Sequence, residues 1–259
     1  MIPQAFDYER PETVADAVGL LKTHGEDARV LAGGHSLLPM MKLRFANPGT
    51  LIDIGGISGL RGISDTGSHI VIGALTRHAD VAASDLIQSA CPILAQAAAG
   101  IGDMQVRNRG TIGGSLAQAD PHGDLPTVLL ALDGEVSAEG PEGTRTIAAA
   151  DLFVGYLTSS LRPDEILTGV RVPKAAHGAY VKFTRRAQDW AIVAVAAVID
   201  GASARIALTG VGAKPVRAEA AEHAAEGLNP PADTSASSDY RKHLVRVLTR
   251  RALEAAAGS

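Results

Sequence analysis

The sequence predicts an α+β protein: two α/β lobes at 1–55 and 56–175, then a C-terminal region at 176–259 built on a three-stranded antiparallel sheet with helices. Three observations carry this expectation. Helix-period and strand-like segments alternate from the N-terminus to Pro173. Three strand-like runs then follow one another with only short turns between them, the pattern of antiparallel neighbours. A chain of 259 residues with 46% hydrophobic and 20% charged content has enough apolar surface for more than one core.

In the first lobe, PETVADAVGLLKTHG puts Val14, Ala17, Val18 and Leu21 on one helical face, with Pro11 near the start and Gly25 past the end. ARVLAG and TLIDIGG read as short buried strands. In the second lobe HIVIGA is a strand, and TRHADVAAS is a helix capped by Thr76. PILAQAAAG is a helix with Pro92 in its first turn and Gly100 after its end. DLPTVLLAL is a helix with Asp124 as its cap, GEVSAEG and GTRTIAAA pair as strands, and DEILTGVRVP is a strand stopped by Pro173.

AYVKFTRR, WAIVAVAAVI and ARIALTGVGA are the three C-terminal strands. VRAEAAEHAAEG and YRKHLVRVLTRRALEAAA are expected as helices, and LNPPADTSASSD (228–239) as the loop before the last. Arg241, Lys242, Arg246 and Arg250 fall on or near one side of that last helix and read as a solvated charged face.

Composition narrows the function classes. A net charge of -4 and 3% aromatic residues offer neither the basic surface nor the stacking platforms of a nucleic-acid binder. The single cysteine, Cys91, cannot form an intrachain disulfide or hold an iron–sulfur cluster, and reads as a small buried residue. The opening residues lack the charged and apolar regions of an export signal. The most apolar run, WAIVAVAAVID, is about half of the ~20 residues a membrane span needs. A cytoplasmic protein without a membrane span is expected.

The motifs turn on glycine. Gly34-His35-Ser36-Leu37-Leu38 misses the second glycine of a hydrolase nucleophile elbow. GIGDMQ and GVGAKP are incomplete dinucleotide fingerprints, and no Walker pattern occurs. Asp120, His122 and Asp124 alternate as metal ligands would, but no further ligand cluster stands nearby. More informative is a pair of similar loops, AGGHS (32–36) and TIGGS (111–115). Glycine lets backbone approach a ligand closely, successive N–H groups form an anion nest, and a hydroxyl adds a donor. Two such loops from two lobes can hold a pyrophosphate from both sides.

QVRNRGTIGGSLAQADPHGDLPTVLLAL (105–132) resembles the FAD-binding medium subunit of the molybdenum hydroxylases, the carbon monoxide dehydrogenase and xanthine dehydrogenase family. VLAGGHSLLPMMKLR resembles that family's first flavin loop, TIGGS its second, and YVKFTRRAQDWAIVAVA with YRKHLVRVLTRRAL its C-terminal domain. The resemblance implies a two-lobed FAD-binding domain of the PCMH type at 1–175 and a flavoprotein domain at 176–259.

It further implies that Ala32, Gly33, Gly34, His35, Ser36 and Leu37 form the first flavin loop, and Thr111, Ile112, Gly113, Gly114 and Ser115 the second. Gly123 and Asp124 match a stretch whose carboxylate suits ligand hydroxyls. Ile166 and Leu167 match an apolar wall of the flavin ring, Lys182 a lysine that reaches its carbonyl edge, and Trp190 an aromatic near the ring. Ser115 departs from the Asn of many relatives but keeps donor and acceptor capacity.

No catalytic acid or base and no metal site is implied in this chain. FAD is expected here, with [2Fe–2S] clusters on a small partner subunit and a molybdenum cofactor on a large one. The expected assembly is a dimer of heterotrimers that passes electrons to an acceptor such as a quinone or NAD. The rival readings are a self-contained FAD-dependent oxidase and a flavin-free structural module.

Overall fold

The computed structural model describes residues 2–218, 220 and 223–258. The first lobe runs β1 (Asp7–Glu9), α1 (Val14–His24), β2 (Ala28–Leu31), α2 (Leu37–Lys42) and β3 (Thr50–Asp53). Its sheet is parallel, in the order β1-β3-β2. Thr13 caps α1 by accepting the Asp16 N–H, and Gly25 ends it at φ 57°. Ala17, Val18 and Leu21 face inward, as the spacing predicts, onto Ile52, Ile54 and Leu75.

The second lobe begins with β4 (Ile63–Asp65) and β5 (His69–Gly73). Six short helices follow: α3 (His78–Ala83), α4 (Asp85–Ala90), α5 (Pro92–Ala99), α6 (Met104–Arg109), α7 (Ile112–Gln118) and α8 (Asp124–Ala131). Then come β6 (Glu135–Gly140), β7 (Gly143–Ala148), α9 (Ala149–Leu152), β8 (Phe153–Gly155), β9 (Thr158–Ser159) and β10 (Ile166–Pro173). β10 returns to the middle of an antiparallel sheet in the order β4-β5-β10-β6-β7. Its pairing with β6 shifts register between Leu167 and Gly169.

The C-terminal sheet is an antiparallel meander of β11 (Gly178–Phe183), β12 (Val193–Asp200), β13 (Ser203–Thr209) and β14 (Val216–Ala218), covered by α10 (Ser238–Ala257). The apolar run of β12 has a physical reason. Ala194, Ala196 and Val198 point into the core of the second lobe, while Val193, Val195 and Ala197 point under α10. Alternate residues serve opposite faces, and both faces are covered.

Five expectations need correction. The C-terminal sheet has four strands, because Val216–Ala218 pairs with Ile206–Leu208. That strand occupies the start of the segment expected as the helix VRAEAAEHAAEG; its end, at 223–227, is turn, and Glu219, Ala221 and Glu222 lie outside the described residues. Thr76 does not cap α3: the helix starts a residue later, Arg77 N–H donates to Asp80, and Thr76 Oγ1 exchanges hydrogen bonds with Gly62. Gly123, not Asp124, caps α8, which leaves Asp124 inside the first turn with a carboxylate engaged elsewhere. Arg241 is no surface charge. It is 1% exposed and donates to the carbonyls of Ile192 and Gly210 and to Asp233.

Candidate functional site

A cleft of about 450 Å³ opens where the first lobe, the second lobe and the start of the C-terminal sheet meet. It is built from two chain reversals. In the first, β2 leaves its sheet after Leu31 and the chain turns through 32–36 into α2. Gly34 makes the turn at φ 77°, in the left-handed region. Gly33 has no room for a side chain, since a Cβ would stand 2.3 Å from the Arg109 carbonyl oxygen and 2.8 Å from Gly110 Cα. The first loop therefore rests directly on the backbone that leads into the second. Among the described residues, the N–H groups of Gly34, His35 and Ser36 have no acceptor in the protein. The Ser36 side chain makes no cap hydrogen bond.

In the second reversal, Thr111 caps α7 and its Oγ1 accepts the Gly114 N–H at 3.1 Å. Gly113 is needed for packing: its N–H donates to the Ala74 carbonyl at 2.9 Å, and a Cβ would lie 2.6 Å from Ala74 Cβ. Gly114 is freer, and a Cβ there would meet only Thr111 Oγ1. So three of the four loop glycines answer to backbone geometry or to packing against other elements, while Gly114, on the cleft, is limited only by the hydroxyl that caps its own helix, 2.8 Å from where a Cβ would stand.

The floor and far wall come from later elements. Asp124 lines the cleft and accepts from the Tyr180 hydroxyl at 2.5 Å and Lys182 Nζ at 3.1 Å. Burial pushes the Asp124 carboxyl up from its ordinary range, against the pull of Lys182 and the Tyr180 hydrogen bond. Burial also pushes the Tyr180 hydroxyl well up, followed by the nearby carboxylate. Lys182 Nζ additionally donates to the Gly100 carbonyl at 3.3 Å. Ile166 and Leu167 enter the cleft from the start of β10. Trp190 borders it at 59% exposure. The chain next to Trp190 is held by His122 Nδ1–H, which donates to Ala191 O at 2.8 Å.

Of the residues singled out in the sequence, Ala32 to Leu37, Thr111, Gly113, Gly114, Ser115, Asp124, Ile166, Leu167 and Trp190 share this cleft. Ile112, Gly123 and Lys182 stand behind it. Ile112 is buried in the core of the second lobe, Gly123 is wedged against Pro126 and the Asp120 carbonyl, and Lys182 is tied to Asp124. Sequence reasoning missed His78, Gly110, Gln118, Leu157, Leu161 and Glu165, which also line the cleft. Glu165 is locked by Arg145 at 2.6 and 2.8 Å, which holds its carboxyl below the usual range. Gly110 and Gln118 lie inside the 105–132 stretch and Glu165 directly precedes Ile166, whereas nothing local marks His78, Leu157 or Leu161.

Comparison with known proteins agrees with this architecture. The model for the FAD binding domain in molybdopterin dehydrogenase matches residues 4–175, and that for the CO dehydrogenase flavoprotein C-terminal domain matches 178–229. The chain belongs to the molybdopterin dehydrogenase FAD-binding family. Within that family it groups with the medium, FAD-binding subunits of carbon monoxide dehydrogenase and related molybdenum hydroxylases, which are oxidoreductases.

It is 42% identical to the carbon monoxide dehydrogenase medium chain of Hydrogenophaga pseudoflava, covering 99% of this chain and 98% of that one. It is 39% identical to the 6-hydroxypseudooxynicotine dehydrogenase complex subunit alpha of Paenarthrobacter nicotinovorans, over 98% and 95%. The structure of the Hydrogenophaga pseudoflava carbon monoxide dehydrogenase superposes with a TM-score of 0.96 over 100% of this chain and 99% of that one. Quinoline 2-oxidoreductase from Pseudomonas putida 86 superposes with a TM-score of 0.95 at 32% identity, over 100% and 99%. No helix among the described residues is long and apolar enough to cross a membrane.

Proposed function

We propose that the cleft holds FAD without a covalent link and that the chain is the electron-relay subunit of a larger complex. The carrying observation is the meeting of two glycine loops, one with three successive N–H groups lacking an acceptor. Such a set fits a pyrophosphate, whose charge strengthens each hydrogen bond it accepts. Gly33, Gly34, His35 and Ser36 would hold it from one side, Thr111, Gly114 and Ser115 from the other. Asp124 suits ribityl hydroxyls, because its carboxyl oxygens, held in place by Tyr180 and Lys182, keep lone pairs that can accept from them. Ile166 and Leu167 suit the apolar ring, with Trp190 against it. Lys182 acts through Asp124, which takes up its charge before it reaches the ligand.

When bound, the flavin supplies the redox chemistry, and the protein supplies position and electrostatics. No acid or base of this chain is assigned to the reaction. One cysteine cannot ligate a cluster. Electrons would arrive from [2Fe–2S] clusters on a small subunit, after oxidation of a substrate at molybdenum on a large one, and leave to a quinone or NAD. In this reading 1–175 is the flavin domain, 176–259 completes the cleft, the assembly is a dimer of heterotrimers, and the complex is cytoplasmic.

The test is purification from the native source with cofactor and partner identification. A yellow chain that releases all its flavin on acid precipitation and co-purifies with iron–sulfur and molybdenum subunits supports the proposal. Turnover of a natural substrate by the chain alone overturns it in favour of an oxidase, and a colourless chain that takes up no FAD overturns it in favour of a structural module.

A further inference from the structure

His78, the first residue of α3, stands in the cleft wall but belongs to neither flavin loop. It is 5% exposed. Its backbone N–H donates to the Gly110 carbonyl at 3.0 Å. The Cδ2–Nε2 edge of its ring lies over Gly110, where a Cβ would come within 2.7 and 2.8 Å of those two atoms. Gly110 is also the residue against which Gly33 packs. The imidazole thus sits at the junction of the two loops, with His35 as an electrostatic neighbour.

Among the described residues, nothing hydrogen-bonds either ring nitrogen. Of the two, only Nδ1 is also shut off from solvent, so Nε2 is the nitrogen that remains open to a partner from outside the protein. Burial, with a smaller contribution from His35, lowers the His78 pKa to about 4, so the ring is neutral and carries one N–H. Nδ1 is the nitrogen enclosed by protein. An orphaned buried N–H is rarer in folded proteins than an under-satisfied acceptor, which places the proton on Nε2, the nitrogen on the Gly110 side.

We infer that His78 donates Nε2–H to a pyrophosphate oxygen of the bound dinucleotide, as a neutral donor between the two glycine loops; this rests on the reading of the cleft as an FAD site. The neighbouring N–H groups of Gly34, His35 and Ser36 single out the pyrophosphate over the ring. The anion gives Nε2 the partner that the protein withholds, while Nδ1 stays a buried acceptor, and a neutral donor serves the anion without binding or releasing a proton.

The test uses the full chain freed of flavin. FAD affinity is read from flavin fluorescence for the wild type, His78→Gln and His78→Phe. The wild-type imidazole resonances are followed by nitrogen-labelled NMR, with ADP and then riboflavin as probes, the His78 signal being assigned by its loss in His78→Gln. Phenylalanine removes the donor and should weaken FAD binding roughly tenfold or more. Glutamine keeps an N–H donor and should lose less.

ADP should shift the His78 Nε2 signal and riboflavin should not. Should His78→Phe fail to fold, the wild-type titration decides alone. A signal that ADP leaves in place while the wild type still binds FAD overturns the His78 assignment and spares the flavin site. Unchanged affinity in a folded His78→Phe does the same. A wild type that binds no FAD overturns both.

Discussion

At the scale of single residues, the four loop glycines separate into different experiments. Gly33→Ala forces a Cβ to within 2.3 Å of a carbonyl on the neighbouring loop, so it should disturb the contact between lobes and lower stability. Gly34→Ala puts a side chain at φ 77°, a strain of about 1–2 kcal/mol. Gly114→Ala meets only the Thr111 hydroxyl, at 2.8 Å, so it probes ligand space at the cost of shifting the α7 cap. Flavin content should fall in Gly114→Ala while the far-UV spectrum of the flavin-free protein persists and its stability drops by no more than the loss of one helix cap, about 1 kcal/mol. Full flavin occupancy would show that Gly114 lies away from the ligand.

His78 makes a pH prediction at the same scale. Its folded pKa of about 4 lies below the ordinary 6.5, so protons favour the unfolded chain. The stability that depends on the neutral ring is present above pH 6.5 and is lost as the pH falls toward 4, by about 3 kcal/mol. Denaturant midpoints of the flavin-free protein should drop over that window, and His78→Gln should flatten the drop. Cys91 supplies a third check. It is fully enclosed and its thiol is pushed up to about 12 by burial, so a thiol reagent should find it only after denaturation.

At the scale of elements, Arg241 shows how a helix shapes a site it does not touch. Its guanidinium caps the carbonyls of Ile192 and Gly210, and Gly210 N–H donates to the Pro121 carbonyl at 3.0 Å. Thr209 Oγ1 reaches the same carbonyl at 2.5 Å. α10 is thereby tied through one side chain to the segment carrying Trp190 and to the turn that precedes Asp124. Arg241→Met leaves these carbonyls unpaired and should cost on the order of 3 kcal/mol, read as a lower denaturant midpoint. It should also change the emission of Trp190, the sole tryptophan; unchanged emission would mean that the clamp does not govern this side of the cleft.

Sequence could not reveal this role. At positions 241, 242, 246 and 250 the charges look alike, and only the packing of Leu244, Val245 and Leu248 on the sheet shows that Arg241 shares their buried face. The elements with strong periodicity were legible: α1, α5, α8 and α10, and the long strands of both later sheets. α6 and α7 were not, because six mostly polar residues, and seven that include two glycines, carry too little periodicity. β14 was hidden by an Ala- and Glu-rich context that favours helix, overridden by pairing with β13. The glycine loops were legible as a motif. His78 was not, since it reaches the cleft by folding over from a separate helix, and Glu165, though next to Ile166, gives no sign in the sequence of its pairing with Arg145, 20 residues earlier.

At the scale of the molecule, the cleft and the cores argue for one cooperative unit. β12 buries alternate side chains in two different cores, so the C-terminal sheet cannot separate from the second lobe without exposing Ala194, Ala196 and Val198. Ile166 likewise belongs to the core of the first lobe while Leu167, its neighbour, belongs to that of the second. The ligand space draws on all three regions, from Gly34 to Thr111 to Trp190. Thermal unfolding of the flavin-free chain should therefore show a single transition by calorimetry, and saturating FAD should move that whole transition upward. At a hundredfold excess of free FAD over its dissociation constant the gain is about 2.7 kcal/mol. The competing outcome is two transitions, with FAD raising only the one that reports the lobes of the glycine loops. That result would mean that the C-terminal sheet melts independently, that Trp190 contributes little to holding the flavin, and that the shared β12 core is weaker than its burial implies.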